Sequence, residues 1–208
     1  MAGMRVGVLG GTFDPIHLGH LILADTAWEL LSLERLLFVP AGNPWRKAGQ
    51  PITPGHHRLA MVRLALEGSP FQVWTGELQR PGPSYTVDTL HELRLELPGA
   101  EFFLVMGYDS LLDLPHWHRP QEIISLAFLA VASRPGAEDE GALARVEALL
   151  PGLKSRLVWL DMPPVGISAT LVRERVRVGR SIRYLVPPQV EEYIRSQGLY
   201  RQGFTADR

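Results

Sequence analysis

Two imidazoles, His17 and His20, stand just behind a pair of glycines in the run Gly10-Gly11-Thr12-Phe13-Asp14-Pro15-Ile16-His17-Leu18-Gly19-His20. Glycine lets a backbone turn sharply and approach a ligand closely. Residues three apart share one face of a helix, and Gly19 between the histidines leaves room for a base or a sugar. Amides at the start of such a helix suit an anion, phosphate above all. Singly these signals are weak. A Gly-Gly junction also makes a plain tight turn, and a histidine at a helix start also serves as a cap. Zinc would need a third ligand, and no Glu lies between the two histidines. The run is neither a Walker loop nor a GxGxxG fingerprint, which argues against kinase chemistry and hydride transfer.

A second group lies far along the chain, in Gly166-Ile167-Ser168-Ala169-Thr170-Leu171-Val172-Arg173. Ser168 is an N-cap residue by type. Thr170 and Arg173 fall in the first turns of the helix that follows and reach toward one anion; the same residues also fit a plain capped helix with a solvated Arg. A third group, Ser84-Tyr85-Thr86-Val87-Asp88-Thr89, opens another helix, whose Thr86 hydroxyl and amides suit a carboxylate. Ser84 or Thr86 equally serves there as a helix cap.

The elements that must position these groups alternate. Strand-like apolar runs fall at Arg5–Leu9, Leu36–Pro40, Phe71–Thr75, Phe102–Met106, Leu126–Ala132 and Arg156–Leu160. Helical stretches fall at His17–Leu31, Pro54–Glu67, Thr86–Leu97, about Glu138 to Leu150, Ser168–Val178 and Pro188–Gln197. Near-continuous apolar strands alternating with helices predict an α/β fold, a Rossmann-like doubly wound parallel sheet with C-terminal helices. Such sheets bind ligands at the carboxyl ends of their strands. The segments Ala41–Pro51, Gln79–Ser84, Pro115–Pro120 and Met162–Gly166 read as loops, the first as a flap.

The 208 residues fit one domain, 1–208, with 168–200 as its C-terminal helical part. With 46% apolar residues, 21% charged residues and a net charge of −1, the chain has no global field to attract nucleic acid or an anionic membrane. Any anion site is therefore built locally. The absence of Cys excludes disulfides, thiolate catalysis and cysteine metal sites. The N-terminal residues lack the pattern of a signal peptide, and no apolar run reaches the ~18 residues of a membrane span. A cytoplasmic location is the expectation, and oligomeric state is left open, a homo-oligomer included.

Gly10–His20 resembles the signature of the HxGH nucleotidylyltransferases, and specifically of bacterial nicotinate-nucleotide adenylyltransferases. The resemblance runs from Arg5 to Tyr200 through Ser84–Leu90, Gly107-Tyr108-Asp109, the Trp117 loop, Ser168–Arg173 and Val186-Pro187-Pro188. It implies ATP and nicotinate mononucleotide as substrates, nicotinate adenine dinucleotide and pyrophosphate as products, and Mg²⁺ bound mainly through the ATP phosphates. No metal site made by the protein is expected. His17, His20 and Arg173 are then the catalytic residues. ATP is held by Gly10, Gly11, Thr12, Phe13, His17, His20 and Lys47, together with Gly107, Asp109, Ile167, Ser168, Thr170 and Arg173. The mononucleotide is held by Thr86, Tyr108, Trp117 and Arg134, with Trp117 stacking on the pyridine ring. Arg58 has a supporting role.

Two departures from the family pattern stand out. Ala169 replaces a frequent Ser, and Trp45-Arg46 replace a common Pro-His. Rival readings are an acceptor other than nicotinate mononucleotide (nicotinamide mononucleotide or phosphopantetheine), a nucleotide-binding module without turnover, and a fragment like a class I tRNA synthetase. The chain is longer than is usual for the phosphopantetheine enzymes and carries the Ser84–Leu90 and Trp117 segments that those lack. It has no Lys-Met-Ser-Lys-Ser loop of the synthetase kind. The choice between acid and amide is partly open in the sequence, with Thr86 and the amides of a helix start favouring the acid.

Overall fold

A computed structural model describes residues 3–47, 49–132 and 140–201; the side chain of Lys47 lies outside the described set. Six strands form one parallel sheet: β1 (Arg5–Gly11), β2 (Arg35–Pro40), β3 (Gln72–Val73), β4 (Glu101–Gly107), β5 (Phe128–Ala132) and β6 (Leu157–Leu160). Their order is β3-β2-β1-β4-β5-β6, all neighbours parallel. The chain winds outward from β1 to one edge and then from β4 to the other. The switch point between β1 and β4 opens a crevice at the carboxyl ends of those strands.

The sheet is buried on both faces, and alternation along each strand divides its side chains between two cores. On β1 and β4, Leu9, Phe103 and Val105 enter one core, while Val6, Val8, Phe102, Leu104 and Met106 enter the other. Helices α1 (Leu18–Leu30) and α2 (Gly55–Ala65) cover the first face. So do α8 (Ala169–Arg177) and α9 (Pro188–Ser196), which contribute Val172, Val190 and Ile194 to the same core. Helices α4 (Thr86–Glu96), α5 (Tyr108–Asp113), α6 (Pro120–Leu126) and α7 (Glu140–Leu149) cover the second, following the short α3 (Gly76–Gln79).

The α/β expectation holds, and long amphipathic helices fall within a few residues of their expected ends. Several short elements were not expected. Residues 120–126 are a helix, because Pro120 takes the first helical turn, where a missing N–H costs nothing. Ile123 and Ile124 are buried by that helix, so the strand begins only at Phe128. A single apolar run here holds two elements, which periodicity alone does not separate. Helix α5 and the 3-10 turns Trp45–Lys47 and Leu114–His116 likewise occupy segments too short to show a period. Among the described residues no helix is long and apolar enough to cross a membrane.

Candidate active site

The site starts where β1 ends. After Gly11 the chain reverses through Phe13, whose φ of 49° lies in the left-handed region. Phe13 is buried against Phe38 and meets the His20 ring edge to face at 5.0 Å. It therefore supports His20 from behind and lines neither of the two cavities beside this turn. His17 is the N-cap of α1, and its ring stacks on that of His20, 3.7 Å between centroids.

The helix amides do not lie as expected. The His17 amide donates to His20 Nδ1 (3.2 Å), the Leu18 amide to the Leu185 carbonyl (2.9 Å), and the His20 amide to the His17 carbonyl (2.9 Å). Three N–H groups expected to face a phosphate are thus taken by protein acceptors, as buried donors require. Recognition at this helix start passes to the two imidazoles. His17 is only 7% exposed, and burial pushes its pKa down to about 4, so at neutral pH it is an uncharged imidazole.

Asp14 ties the turn to the rest of the fold. Its Oδ1 accepts from the Tyr200 hydroxyl (2.7 Å) and its Oδ2 from the Thr53 amide (3.2 Å). The Asp14 carbonyl accepts from Arg173 Nη1 at 2.8 Å. Arg58, 2% exposed, donates to the carbonyls of Thr53 and Thr12, both at 2.8 Å, which gives it the supporting role expected. The carboxylate of Asp14 and the burial of Tyr200 raise the phenol's pKa, with burial the larger cause. Asp14, Thr53 and Tyr200 were not singled out by sequence. Asp14 and Tyr200 lie 186 positions apart, and no spacing rule links them.

Two cavities flank this turn. One, of about 470 Å³, is lined by His17, Gly19, His20, Asp109, Ile167, Ser168, Thr170 and Arg173. The two sequence groups therefore meet around one space. Ser168 caps α8 by accepting from the Leu171 amide (3.1 Å), and Arg173 Nη2 donates to the Thr170 hydroxyl (3.3 Å). The other cavity, of about 410 Å³, is lined by Gly10, Gly11, Thr12, His20, Thr86, Gly107 and Trp117. Among the described residues, only His20, Leu23 and Gly107 line both.

The two cavities divide the expected site residues between them. Gly10, Gly11 and Thr12, expected to hold ATP, line the cavity that contains Thr86 and Trp117. Tyr108, expected on the mononucleotide side, is buried and lines the cavity of His17 and Arg173 instead. The physical reason is that Tyr108 starts α5 directly after β4, so its side chain turns to the face opposite Ser110. The backbone of Lys47 lies in the turn Trp45–Lys47, but its side chain is outside the described residues, and Arg134 is outside them entirely. Ser84 is not a helix cap. Its hydroxyl accepts from the amides of Gly42 (2.9 Å) and Asn43 (3.0 Å) and so joins the start of α4 to the segment after β2.

A six-stranded parallel sheet with an imidazole pair and two cavities, of about 410 and 470 Å³, at its switch point suits a nucleotidyltransferase, and residues 8–175 match the family described as "Cytidylyltransferase-like". A protein of Thermomicrobium roseum named "Probable nicotinate-nucleotide adenylyltransferase" is 52% identical over 198 residues, 95% of this chain and 92% of that one. A protein of Thermus thermophilus with the same name is 46% identical, over 95% of this chain and 100% of its own. The solved "Plasmodium falciparum nicotinic acid mononucleotide adenylyltransferase complexed with NaAD" has a TM-score of 0.77 over 94% of this chain and 97% of that chain. At 19% identity it is a likeness of fold. The chain belongs to the nicotinate-nucleotide adenylyltransferase family.

Proposed function

We propose that this protein transfers the adenylyl group of ATP to nicotinate mononucleotide, giving nicotinate adenine dinucleotide and pyrophosphate. The observation that carries the reading is that His20 and Gly107 line both cavities. A triphosphate in one and a mononucleotide in the other bring their phosphates together beside one imidazole. An oxygen of the mononucleotide phosphate attacks the α-phosphorus of ATP, a new P–O bond forms, the α–β bridging bond breaks, and pyrophosphate leaves. The attacking oxygen is already anionic, so no general base is needed. Catalysis is positioning and charge stabilisation.

His20 donates to the α-phosphate as charge builds there. His17, neutral when the site is empty, serves as a hydrogen-bond donor and takes up positive charge only as phosphate approaches. Arg173, Thr170 and Ser168 hold the β- and γ-phosphates, and Asp109 accepts from ribose hydroxyls. On the other side Trp117 stacks on the pyridine ring, and Thr86 with the start of α4 receives its carboxylate. Lys47 and Arg134 are proposed as phosphate ligands from sequence alone.

Mg²⁺ belongs to the substrate in this reading. Among the described residues, Asp109 is the only carboxylate lining the cavity of Arg173, and no three His, Asp or Glu are grouped to hold an ion. Such a donor set suits a cation carried on phosphates, where it neutralises the leaving pyrophosphate. We read 1–208 as one nucleotidylyltransferase domain, supported by the shared core of α1, α2, α8 and α9. We propose the cytoplasm as its location. Incubation with ATP, Mg²⁺ and each mononucleotide in turn, with the dinucleotide identified by mass, tests the reading. Product from nicotinamide mononucleotide but not from the acid would overturn the substrate assignment.

A further inference from the structure

The two residues that depart from the family pattern, Trp45 and Arg46, take part in a closed ring of contacts around the mouth of the Thr86–Trp117 cavity. Arg46 pairs with Asp113 through Oδ1. Asp113 accepts from the Trp117 indole through Oδ2, at 3.1 Å. His118 follows Trp117 in the chain and stacks on Tyr85, 4.1 Å between centroids and 24° between planes. Tyr85 meets Trp45 edge to face at 5.7 Å, and the Arg46 guanidinium carbon lies 5.3 Å from the Trp45 ring centroid, which closes the circuit. Trp45, Arg46, Asp113 and Trp117 all line the cavity.

We propose that Asp113 is a positioning residue for the mononucleotide: it sets the indole of Trp117 and holds the Trp45–Lys47 turn against the cavity. The proposal rests on the adenylyltransferase reading above. An ionised carboxylate is an acceptor with two oxygens, and here each serves a different partner. The torsion that flips an indole is broad, so one hydrogen bond at Nε1 selects the face that Trp117 offers to a ring. A lone carboxylate at this mouth would repel a mononucleotide carrying phosphate and carboxylate. Arg46 removes that repulsion and, by doing so, fastens a segment that follows β2 to the end of α5.

The test is steady-state kinetics on the whole chain, with each substrate varied in turn. Asp113→Ala is expected to raise the KM for nicotinate mononucleotide about tenfold, the loss of a charge-assisted hydrogen bond, with the KM for ATP changed by less than about twofold. Asp113→Asn, which keeps an acceptor for the indole, recovers part of the loss. Trp117→Phe keeps an aromatic ring, though a smaller one, and deletes the N–H; it raises the same KM alone and adds little to Asp113→Ala. Equal shifts in both KM values, or an additive double variant, would show that Asp113 acts only as a structural residue. Should Asp113→Ala fail to fold, the Asn and Phe variants still decide the matter. A wild-type chain that makes no dinucleotide overturns the functional reading, whereas an active wild type with an unchanged Asp113→Ala overturns this proposal alone.

Discussion

The Tyr200 hydroxyl donates to Asp14 Oδ1 at 2.7 Å, a buried contact between the end of the described chain and the turn that precedes the histidine pair. The other Asp14 oxygen takes the Thr53 amide, and its carbonyl takes Arg173. Removing the phenol leaves a buried carboxylate one donor short. Tyr200→Phe should cost about 1–3 kcal/mol of stability, a fall of roughly 2–4 °C in Tm per kcal/mol for a chain of this size. Thermal unfolding measures this directly. An unchanged Tm would mean that the turn does not depend on its C-terminal anchor.

His20 is the side chain that both substrates reach in the proposed arrangement. His20→Ala should lower kcat about 10²-fold or more, a loss of ~3 kcal/mol from the barrier, with the circular dichroism spectrum preserved. Near-normal turnover would remove the imidazole pair from the chemistry.

Gly107 separates the two cavities, and a Cβ built on it meets no protein atom within 4 Å. A methyl group there therefore meets no protein neighbour, while the proposed reading puts the reacting phosphates beside it. Gly107→Val should unfold at the wild-type temperature and lose turnover by about tenfold or more, because misplacing reacting phosphates by an ångström is that costly. A fully active valine variant would place the meeting point of the phosphates elsewhere.

His17 gives the protein a specific pH dependence. Its pKa falls from 6.5 to about 4 because burial disfavours the cation. The folded state thus binds its proton less readily than the unfolded chain does. Its contribution to stability is fully present above the unfolded value near 6.5 and is lost as pH falls toward 4. Between pH 7 and 5 the loss is on the order of 2 kcal/mol. Urea titrations at the two pH values should show it in wild type and not in His17→Asn. The same slope in both proteins would assign the acid lability to other groups.

Trp117→Ala should raise the KM for the mononucleotide and leave that for ATP nearly unchanged, since Trp117 lines only the cavity of Thr86. An effect confined to ATP in initial-rate measurements would contradict the division of the site.

The local chemistry was legible in the residues themselves. Gly10-Gly11 behind a β-run, His17 and His20 on one helix face, and Ser168 before a helix all follow from backbone preferences and from spacing within a turn or two. The strand–helix alternation likewise fixed the α/β class, because hydrophobic period is a local quantity. Short elements escaped: α5 and the turn Trp45–Lys47 span too few residues to show a period. The amide partners at His17 also escaped, because the Leu185 carbonyl that takes the Leu18 amide comes from a loop 167 positions later.

Only the tertiary fold decided which residues share a space. The sheet order put the ends of β1 and β4 side by side, and with them Gly11, Gly107 and the histidines. It placed Arg173 on the Asp14 carbonyl and gave the mouth of the second cavity its ring of Trp45, Arg46, Asp113 and Trp117. The Arg173–Asp14 and Arg46–Asp113 contacts join residues 159 and 67 positions apart. Their geometry is set by how whole layers pack, and no rule of spacing along the chain contains that information.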